Sequence, residues 1–398
     1  MMARVMIVAG GDWQVPLVKK AKAMGHTVLC TNLYAKSPAF EFADDFAVVD
    51  VLDKEKNLEI AKKWKPDVVL TDQSDIAVPT VAYISEKMNL PGIGSEKANL
   101  FTNKYEMRCF EKKHGFQPPK FMLCKSYEAA KACFDQLGVT DAIIKPVDSQ
   151  SSRGVYRIRE NEDFGDKYAQ AEKFSSSGCV IFEEYIDGEE FTIDGIMING
   201  EYHTLGISRK KHYLHNAQIA SDLLFTWDDE EYDYVELEKI NRQHIVEAGL
   251  PFGLTHSEYK CFNGQYYLIE MAARGGGTLI SSDIAPFMSS VDGPGTLLDL
   301  LLGKKLNIKE CRDNKAALLH FLDVNPGKIK KIEGFKEASN ISGVHKIHLD
   351  FKEGDILNAP NDDRGRAGFV IIFANNKKEI LKKLNLLNEV LVIQSEPV

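Results

Sequence analysis

The stretch that decides the fold is residues 254–278, which read Leu-Thr-His-Ser-Glu-Tyr-Lys-Cys-Phe-Asn-Gly-Gln-Tyr-Tyr-Leu-Ile-Glu-Met-Ala-Ala-Arg-Gly-Gly-Gly-Thr. Its central dipeptide, Asn263-Gly264, favours a two-residue hairpin turn between two runs that alternate polar and apolar residues. A turn at this position places Glu258 opposite residue 269, one position from Glu270. The sequence therefore predicts two carboxylates close together on neighbouring strands.

Two carboxylates on paired strands repel each other unless a cation lies between them, and oxygen-rich sites of this kind suit Mg²⁺. Arg274 and the glycine run 275–277 follow Glu270 at the strand exit, where a ligand can approach the backbone closely. Together these parts can hold a metal-bound polyphosphate. A surface hairpin with incidental charges is an equally good interpretation of the stretch by itself.

The length and composition of the chain limit the classes of protein to which it can belong. A chain of 398 residues is too long for one ordinary core, so two or three domains are expected. With 44% hydrophobic and 27% charged residues, the composition is that of a globular protein. The net charge of −9 argues against a nucleic-acid partner, and no apolar run is long enough to span a bilayer, so no membrane partner is expected.

The cysteines indicate a reducing compartment. There are seven, and none forms a Cys-x-x-Cys pair, which favours free thiols over a disulfide framework or a zinc site. The N-terminus leads directly into a short strand and a Gly-Gly turn rather than a signal peptide. The prediction is a cytoplasmic protein.

The first hundred residues alternate strands with helices, which predicts βαβ units and a parallel sheet. The predicted strands are 5–9, 27–31, 48–51 and 68–71, and the predicted helices are 15–24 and 76–88. The first turn lacks the Gly-x-Gly-x-x-Gly pattern of dinucleotide-binding proteins. Residues 72–75, Asp-Gln-Ser-Asp, follow a strand directly, and they fit either a ligand crevice or a helix N-cap.

The middle of the chain carries candidate phosphate contacts. Lys104 lies in a predicted helix over 95–113, and Lys145 ends the apolar strand 142–146, where a buried lysine needs an anionic partner. Residues 148–154 form a polar loop that could wrap a phosphate, although the loop has one glycine and the chain has no P-loop motif. The segment 183–186 offers backbone groups beside an apolar wall, as a purine ring requires. The basic cluster 209–215 fits either an anionic substrate or, more simply, a solvated charged face.

Six short motifs in a fixed order carry a family resemblance. They are Asn-Lys-x-x-Met-Arg from 103, Ile-Lys-Pro at 144–146, Asp-Ser-Gln-Ser-Ser-Arg-Gly-Val at 148–155, Glu-Glu-Tyr-Ile then Gly-Glu-Glu-Phe-Thr-Ile-Asp within 183–194, His-x-Glu at 256–258, and Ile-Glu-x-x-x-Arg-x-x-Gly at 269–277. In this order and spacing the chain resembles the ATP-grasp ligase superfamily. Within it, the chain is similar to the biotin-carboxylase-like carboxylate–amine ligases, especially L-amino-acid ligases and related purine-pathway enzymes.

The resemblance implies a mixed α/β and α+β protein with an ATP-grasp fold. It implies a Rossmann-like parallel-sheet domain over 1–95, an ATP-clamping domain over 96–310 with a lid at about 120–185, and a small C-terminal α/β domain over 311–398.

The resemblance also implies a role for individual residues. ATP would be bound by Lys104, Lys145, Ser151, Ser152, Gly154, Glu183, Glu184, Tyr185, Ile186 and Glu190. Mg²⁺ or Mn²⁺ would be held by Glu258 and Glu270, and Arg274 would be catalytic. Substrate contacts would come from His256, Arg209, Lys210, Gln218 and Gly276. One departure is Ala272, where many family members have a metal-binding asparagine, so that water would replace a protein oxygen there.

The implied activity is ATP-dependent, ADP-forming ligation of a small carboxylate, activated as an acyl phosphate, to an amine. An L-amino-acid ligase is the leading interpretation. A purine-pathway ligase acting on a phosphoribosyl amine is the enzymatic alternative, with the basic cluster 209–215 as its only candidate phosphate pocket. A catalytically silent ATP-binding sensor is the alternative from another class. The expected partners are small-molecule substrates and a second copy of the chain in a homodimer.

Overall fold

A computed structural model describes residues 2–397, and its N-terminal part is a parallel sheet with the strand order β3-β2-β1-β4. The elements of this part are β1 (Arg4–Val8), α1 (Val15–Ala23), β2 (Thr27–Asn32), β3 (Asp45–Val48), α2 (Lys54–Trp64), β4 (Val68–Leu70), α3 (Val78–Met88), α4 (Ser95–Leu100) and α5 (Lys104–Lys113). All three strand pairs are parallel. The predicted parallel sheet is confirmed.

In this region the prediction of the third strand is wrong, and one helix was not predicted. The third strand is β3 rather than residues 48–51, because Val49 and Val51 are buried in the turn that leads into α2. Helix α2, which had no counterpart among the predicted elements, is capped by the Asp53 side chain, which accepts from the Lys56 amide.

The predicted helix over 95–113 is two helices. The Asn103 side chain caps α5 by accepting from the amides of Tyr105 and Glu106. The break places Lys104 at the first position of α5, where its own amide donates to the Val147 carbonyl at 2.8 Å. The N-terminus of α5 is thereby joined to the end of a strand in the next part of the chain.

The second part is a small antiparallel sheet with the strand order β5-β8-β6-β7. Its elements are β5 (Phe121–Cys124), α6 (Tyr127–Leu137), β6 (Asp141–Pro146), β7 (Tyr156–Arg159), α7 (Gly165–Lys173) and β8 (Val180–Glu184). The two helices and the sheet enclose a core of their own that includes Phe134, Phe164 and Phe182. The hydrophobic core of this part is therefore separate from the cores of the other parts.

The third part is an eight-stranded antiparallel sheet with the order β13-β12-β9-β10-β11-β14-β18-β16. Its elements up to residue 301 are β9 (Glu189–Ile198), β10 (Glu201–Tyr213), β11 (Asn216–Phe225), α8 (Tyr234–Glu247), β12 (Gly253–Phe262), β13 (Gln265–Ala272), α9 (Ala285–Ser289) and α10 (Gly293–Leu301). The elements that follow are β14 (Ala316–Phe321), β15 (Gly327–Glu333), α11 (Phe335–Ser339), β16 (Val344–Leu349), β17 (Ile356–Leu357), β18 (Gly368–Ala374), α12 (Lys377–Val390) and β19 (Val392–Glu396). The C-terminal strands β14, β18 and β16 thus extend the central sheet, whereas β15, β17 and β19 form a small sheet apart.

A shared core joins the N-terminal sheet to the central one. Side chains of β1 such as Val5 and Ile7 belong to the same buried cluster as Ile196 of β9, Leu254 of β12 and Leu298 of α10. Burying apolar surface on both sides of this junction stabilises the relative position of the two sheets. The carboxyl end of β4 is therefore held against the glycine run after β13.

Residues 2–397 contain no disulfide and no helix suited to crossing a bilayer. All seven cysteines are free thiols. Among residues 2–397, no helix combines the length and the apolarity that a bilayer crossing requires.

Substitution of Gly195 tests the packing of β9. A Cβ atom at this position would lie 2.1 Å from Tyr202 Oη and 2.8 Å from the His203 carbonyl oxygen. Tyr202 is buried and cannot move aside freely, so we expect Gly195→Ala to lower the free energy of unfolding by about 1–3 kcal/mol. The control is Gly277→Ala, where a Cβ would have no atom within 4 Å. Equal urea-unfolding midpoints for the two variants would contradict the tight packing at β9.

Candidate active site

A cleft of about 850 Å³, partly open to solvent, lies between the small antiparallel sheet and the central sheet. Most of the residues predicted to bind ATP or metal line it. These are Lys104, Lys145, Ser151, Ser152, Glu183, Glu184, Tyr185, Ile186, Glu190, Glu258 and Glu270. Gly154 does not line the cleft: it has a φ of +70°, and a Cβ there would lie 3.1–3.2 Å from Ala171, Phe174 and Pro146. Its role is in the backbone turn.

The two predicted metal carboxylates are direct partners in the β12–β13 hairpin. The hairpin closes at Asn263-Gly264 as predicted, but a β-bulge between Glu258 and Tyr259 shifts the register by one residue. Glu258 therefore lies opposite Glu270 rather than opposite Ile269. The bulge brings the two carboxylates closer in register than the ideal hairpin predicted from the sequence.

Each of these carboxylates is paired with a lysine from another element. Lys104 Nζ lies 2.8 Å from Glu270 Oε1 and also donates to the Ser149 carbonyl at 2.7 Å. Lys210 Nζ lies 2.9 Å from Glu258 and 2.6 Å from Glu190. Burial raises the pKa of Glu190, but Lys210 and His212 outweigh it and lower that pKa to about 2. The cleft thus holds ionised carboxylates balanced by cations.

Lys145 has the anionic partner that its sequence position requires. Its ammonium lies 2.7 Å from Glu183 Oε2, and the side chain is 6% exposed. Burial lowers the pKa of Lys145, and Glu183 opposes that shift. The other oxygen of Glu183 accepts from Arg108 Nε at 2.8 Å.

Arg108 is a residue whose role the sequence did not reveal. It is fully buried and also binds Glu111 at 2.7 Å and the carbonyl of Ile269, beside Glu270, at 2.7 Å. The guanidinium ties strand β8 to strand β13. Burial raises the pKa of Glu183, but Arg108 and Lys145 together hold it below its ordinary value. The sequence signal for Arg108 was its place in the Asn-Lys-x-x-Met-Arg motif, one turn after Lys104.

The polar loop 149–154 lies over the cleft with a strained backbone. Ser151 and Ser152 have φ values of +60° and +57°, in the left-handed region. The Ser152 hydroxyl donates to Asp363 of the C-terminal segment at 3.2 Å, and Gln150 Oε1 accepts from the amide of Asp75 at 3.1 Å. The loop is therefore in contact with the N-terminal part of the chain through Asp75 and with the C-terminal segment through Asp363.

Arg274 and the glycines after it are held by the segment 72–75. Arg274 donates from Nε and Nη2 to the two oxygens of Asp75 at 2.8 and 2.6 Å. The Gly275 amide donates to Asp72 at 3.0 Å. Burial raises the pKa of Asp72, and its bond from Ser281 acts against that shift. Of the two interpretations of residues 72–75, the position at a crevice describes them better than an N-cap, since no side-chain capping bond is present at Ser74.

The five residues predicted to contact substrate lie in different places. Gln218 lines the cleft. His256 lies two residues before Glu258 on β12, and its Nδ1 is 3.0 Å from Asp194. Burial lowers the pKa of His256, but Asp194 raises it to about 9. The Gly276 amide donates to the same Asp194 at 3.0 Å.

The remaining two residues, Arg209 and Lys210, are neighbours on β10, so their side chains point to opposite faces of the sheet. Lys210 faces the cleft carboxylates, as described above. Arg209 points away from them and pairs with Glu189 and Glu231, so the structure does not bring it to the cleft. The basic cluster is consequently divided between two faces of the sheet.

The donor set fits a hard divalent cation that arrives with a nucleotide. Two carboxylates face each other at the cleft, and triphosphate oxygens would complete the coordination sphere. Ala272 pairs with His256 in the hairpin and is buried, so it supplies no ligand. Within residues 2–397 there is no cluster of three or more His, Cys, Asp or Glu side chains arranged to hold a metal by themselves.

Comparisons with known proteins agree with this geometry. Residues 139–283 match the family model of the ATP-grasp domain, and residues 320–394 match the L-amino acid ligase C-terminal domain 2. The chain therefore contains an ATP-grasp domain followed by an L-amino acid ligase C-terminal domain. It is 24% identical over 388 residues to an L-arginine-specific L-amino acid ligase of Bacillus subtilis, covering 91% of this chain and 89% of that protein. It superposes on the crystal structure of an L-amino acid ligase from Bacillus licheniformis with a TM-score of 0.81 and 20% identity, over 99% of both chains.

This ATP-grasp protein also resembles a purine-pathway enzyme over part of its length. It is 25% identical over 193 residues to the formate-dependent phosphoribosylglycinamide formyltransferase of Bacteroides thetaiotaomicron, covering 46% of this chain and 48% of that protein. The family, the fold class and the ATP-dependent ligase activity predicted from the sequence are confirmed. So are the predicted cofactors, ATP with Mg²⁺.

Two lysines on strands of this protein provide a matched test of nucleotide binding. Lys145 is buried in the cleft, whereas Lys211 is exposed on β10. We expect Lys145→Ala to weaken ATP binding at least about tenfold, because a desolvated ammonium interacts strongly with phosphate, and Lys211→Ala to change it less than twofold. Calorimetric titration measures both affinities, and thermal melts check that the variants are folded. Equal ATP affinities in two folded variants would contradict the assignment.

Proposed function

We propose that the protein joins two amino acids, or an amino acid and another small amine, in an ATP-dependent reaction that releases ADP and phosphate. The L-amino acid ligase relatives, which match nearly the whole chain, support this choice of substrates. The observation that carries the proposal is the opposed pair Glu258 and Glu270, with Lys104 and Lys145 in the same cleft and Arg274 close enough for its charge to interact with both carboxylates. A carboxylate pair, phosphate-binding cations and an arginine are what phosphoryl transfer to a carboxylate requires.

The nucleotide would occupy the cleft. Lys104 and Lys145 would bind the α- and β-phosphates, and the loop 149–154 with Ser151, Ser152 and the Gly154 turn would close over them. The backbone of 183–186 would take the adenine ring. Three features of the structure support these roles: Lys145 is buried beside an anion, the loop lies over the cleft, and Tyr185 lines it. The Glu183 carboxylate is already bound by Lys145 and Arg108, so only the backbone of that residue is available for the base.

Glu258 and Glu270 would hold the Mg²⁺ that accompanies ATP. The ion would neutralise phosphate charge during transfer. Lys210 and Lys104 pair with these carboxylates in the structure. Burial raises the pKa of Glu258, but Lys210 and His256 hold it well below its ordinary value. Glu190, which is bound to the same Lys210 and lines the cleft, would bind the ribose hydroxyls.

The proposed chemistry converts a poor leaving group into a good one. A substrate carboxylate oxygen attacks the γ-phosphorus of ATP, the bond to the ADP oxygen breaks, and an acyl phosphate results. The amine nitrogen then attacks the acyl carbon, phosphate leaves with the bonding electrons, and the amine proton is released to phosphate or solvent. Arg274, whose pKa is raised above its usual range by Asp75 despite burial, stays charged and would balance the developing oxyanion.

The phosphoribosyl-amine alternative is the weaker enzymatic candidate. It needs a phosphate pocket outside the nucleotide site, and the cluster 209–215 was the only one that the sequence offered. In the structure Arg209, Lys210 and His212 are already paired with carboxylates. A silent sensor is also disfavoured, because Glu258, Glu270 and Arg274 are all present at the cleft or beside it.

We also propose the organisation that the sequence suggested. The parts would be residues 1–95, 96–310 with a lid at about 120–185, and 311–398. The separate sheet of β5–β8 supports the lid, and the boundary near 310 lies between α10 and β14. A cytoplasmic location is supported by the seven free thiols. A homodimer that acts on small molecules, without a nucleic-acid or membrane partner, completes the proposal.

The decisive experiment is a substrate screen. Amino acids and small carboxylates are offered in pairs with Mg-ATP, and phosphate release is measured together with the mass of the product. Release that depends on both members of a pair supports ligation. Release only with a phosphoribosyl amine would support the alternative, and no release with any pair would support the sensor.

Substitution of the metal carboxylate tests the chemistry. We expect Glu270→Gln to keep the fold and to reduce ADP formation by at least about a thousandfold, because the amide lacks the charge that holds Mg²⁺. We expect Arg274→Ala to lower kcat by about a hundredfold or more, the effect of losing one oxyanion contact, while Mg-ATP binding persists.

Titration with Mg-ATP separates these two effects. Glu270→Gln should bind Mg-ATP more weakly than the wild type, and Arg274→Ala should bind it about equally. Near wild-type turnover of Glu270→Gln would show that the opposed carboxylates are not a metal site.

A further inference from the structure

Asp75 meets the guanidinium of Arg274 across the junction between the N-terminal sheet and the central sheet. Both carboxylate oxygens accept, from Nε at 2.8 Å and Nη2 at 2.6 Å, and the two side chains are 13% and 14% exposed. Two parallel bonds between a planar carboxylate and a planar guanidinium define the orientation of both groups. The contact joins residues separated by 199 positions in the sequence.

The backbone beneath Asp75 is itself anchored. Its amide donates to Gln150 Oε1 at 3.1 Å, and Gln150 belongs to the loop that lines the cleft. Nearby, the Gln73 side chain donates to the Trp13 carbonyl and accepts from the Leu279 amide at 3.0 Å. The segment that carries Asp75 is thus hydrogen-bonded both to the cleft loop, through Gln150, and to the chain after the glycine run, through Leu279.

Arg274 needs such a partner because of what surrounds it. It is the second residue after β13, and it precedes three glycines that offer no side chain to pack against it. Glu270 and Glu258 attract its charge. Both carboxylates raise the pKa of the guanidinium, and Asp75 raises it more than either of them. Without Asp75, a flexible arginine would turn toward the metal carboxylates.

The bonds to Asp75 use only one edge of the guanidinium. Nη1 donates once, to the Gly275 carbonyl at 2.9 Å. An arginine has five N–H groups, so further N–H groups on Nη1 and Nη2 are left for a ligand. Asp75 thus holds one edge of the Arg274 guanidinium, and the edge formed by Nη1 and Nη2 keeps N–H groups that can bind a ligand.

We infer that Asp75 is a positioning residue that orients Arg274 toward the reacting carboxylate and keeps it away from the metal carboxylates. This inference rests on the role proposed above for Arg274. Asp75 does not itself touch substrate in this arrangement. Its effect on the reaction passes through the arginine alone.

The test is a double-mutant cycle on kcat and on KM for ATP, with the substrate pair found in the screen. Asp75→Ala should lower kcat by about tenfold or more, the usual consequence of a misplaced catalytic group, and should leave KM for ATP within about twofold. In the Arg274→Ala background, adding Asp75→Ala should lower kcat no further. Asp75→Asn, which keeps the shape and one good acceptor, should fall between the wild type and Asp75→Ala.

The matched control is Glu238→Gln. Glu238 also binds an arginine through two N–H groups, with Arg312 at 2.9 and 2.6 Å, but it lies outside the cleft. Its loss should lower thermal stability about as much as the loss of Asp75, with kcat unchanged. A merely structural role for Asp75 would give it the same behaviour as Glu238.

The outcomes separate this inference from the proposed function. If Arg274→Ala retains wild-type kcat, the role proposed for the arginine is wrong. If Arg274→Ala loses activity but Asp75→Ala keeps it, or if the two losses multiply in the double variant, Asp75 is not its positioning residue and the proposed function stands.

Discussion

Two carboxylates held opposite each other on neighbouring strands are the constraint on which the rest of the site depends. Glu258 and Glu270 would repel one another if they were left alone, and the bulge at Ile269 of β13 brings them into direct register. Each carboxylate is paired with a lysine: Glu270 with Lys104 of α5, and Glu258 with Lys210 of β10. Since these cations come from separate elements, the charge balance also joins those elements at the cleft.

A second layer of charges supports the first. Lys145 and Arg108 share the two oxygens of Glu183, and Arg108 continues to the carbonyl beside Glu270. Removing one member of such a buried group would leave another charge unpaired, which costs several kcal/mol. The strands β8 and β13 are therefore linked through one buried guanidinium. Binding of a polyphosphate at Lys145 would leave Glu183 still neutralised by Arg108.

The site draws on every part of the chain. The N-terminal sheet contributes Asp72 and Asp75, the small antiparallel sheet contributes Lys145 and the loop 149–154, and the C-terminal segment contributes Asp363. A cleft built between units in this way can exclude water when a nucleotide and substrates are enclosed, as an acyl phosphate requires. The L-amino acid ligases that this chain resembles share the same overall fold.

The sequence by itself determined the elements and the chemical inventory. Local patterns decided the parallel sheet, the hairpin at Asn263-Gly264 and the strand that Lys145 ends, because period and turn chemistry are local properties. The tertiary structure alone decided the partners: Glu270 with Lys104 across 166 positions, Arg274 with Asp75 across 199, and Glu183 with Arg108 across 75. It also decided the bulge that sets Glu258 opposite Glu270, and the orientation of Arg209 away from the cleft. The physical reason is that charges select their partners by distance and burial in the folded chain, and neither quantity is written in the spacing of residues along it.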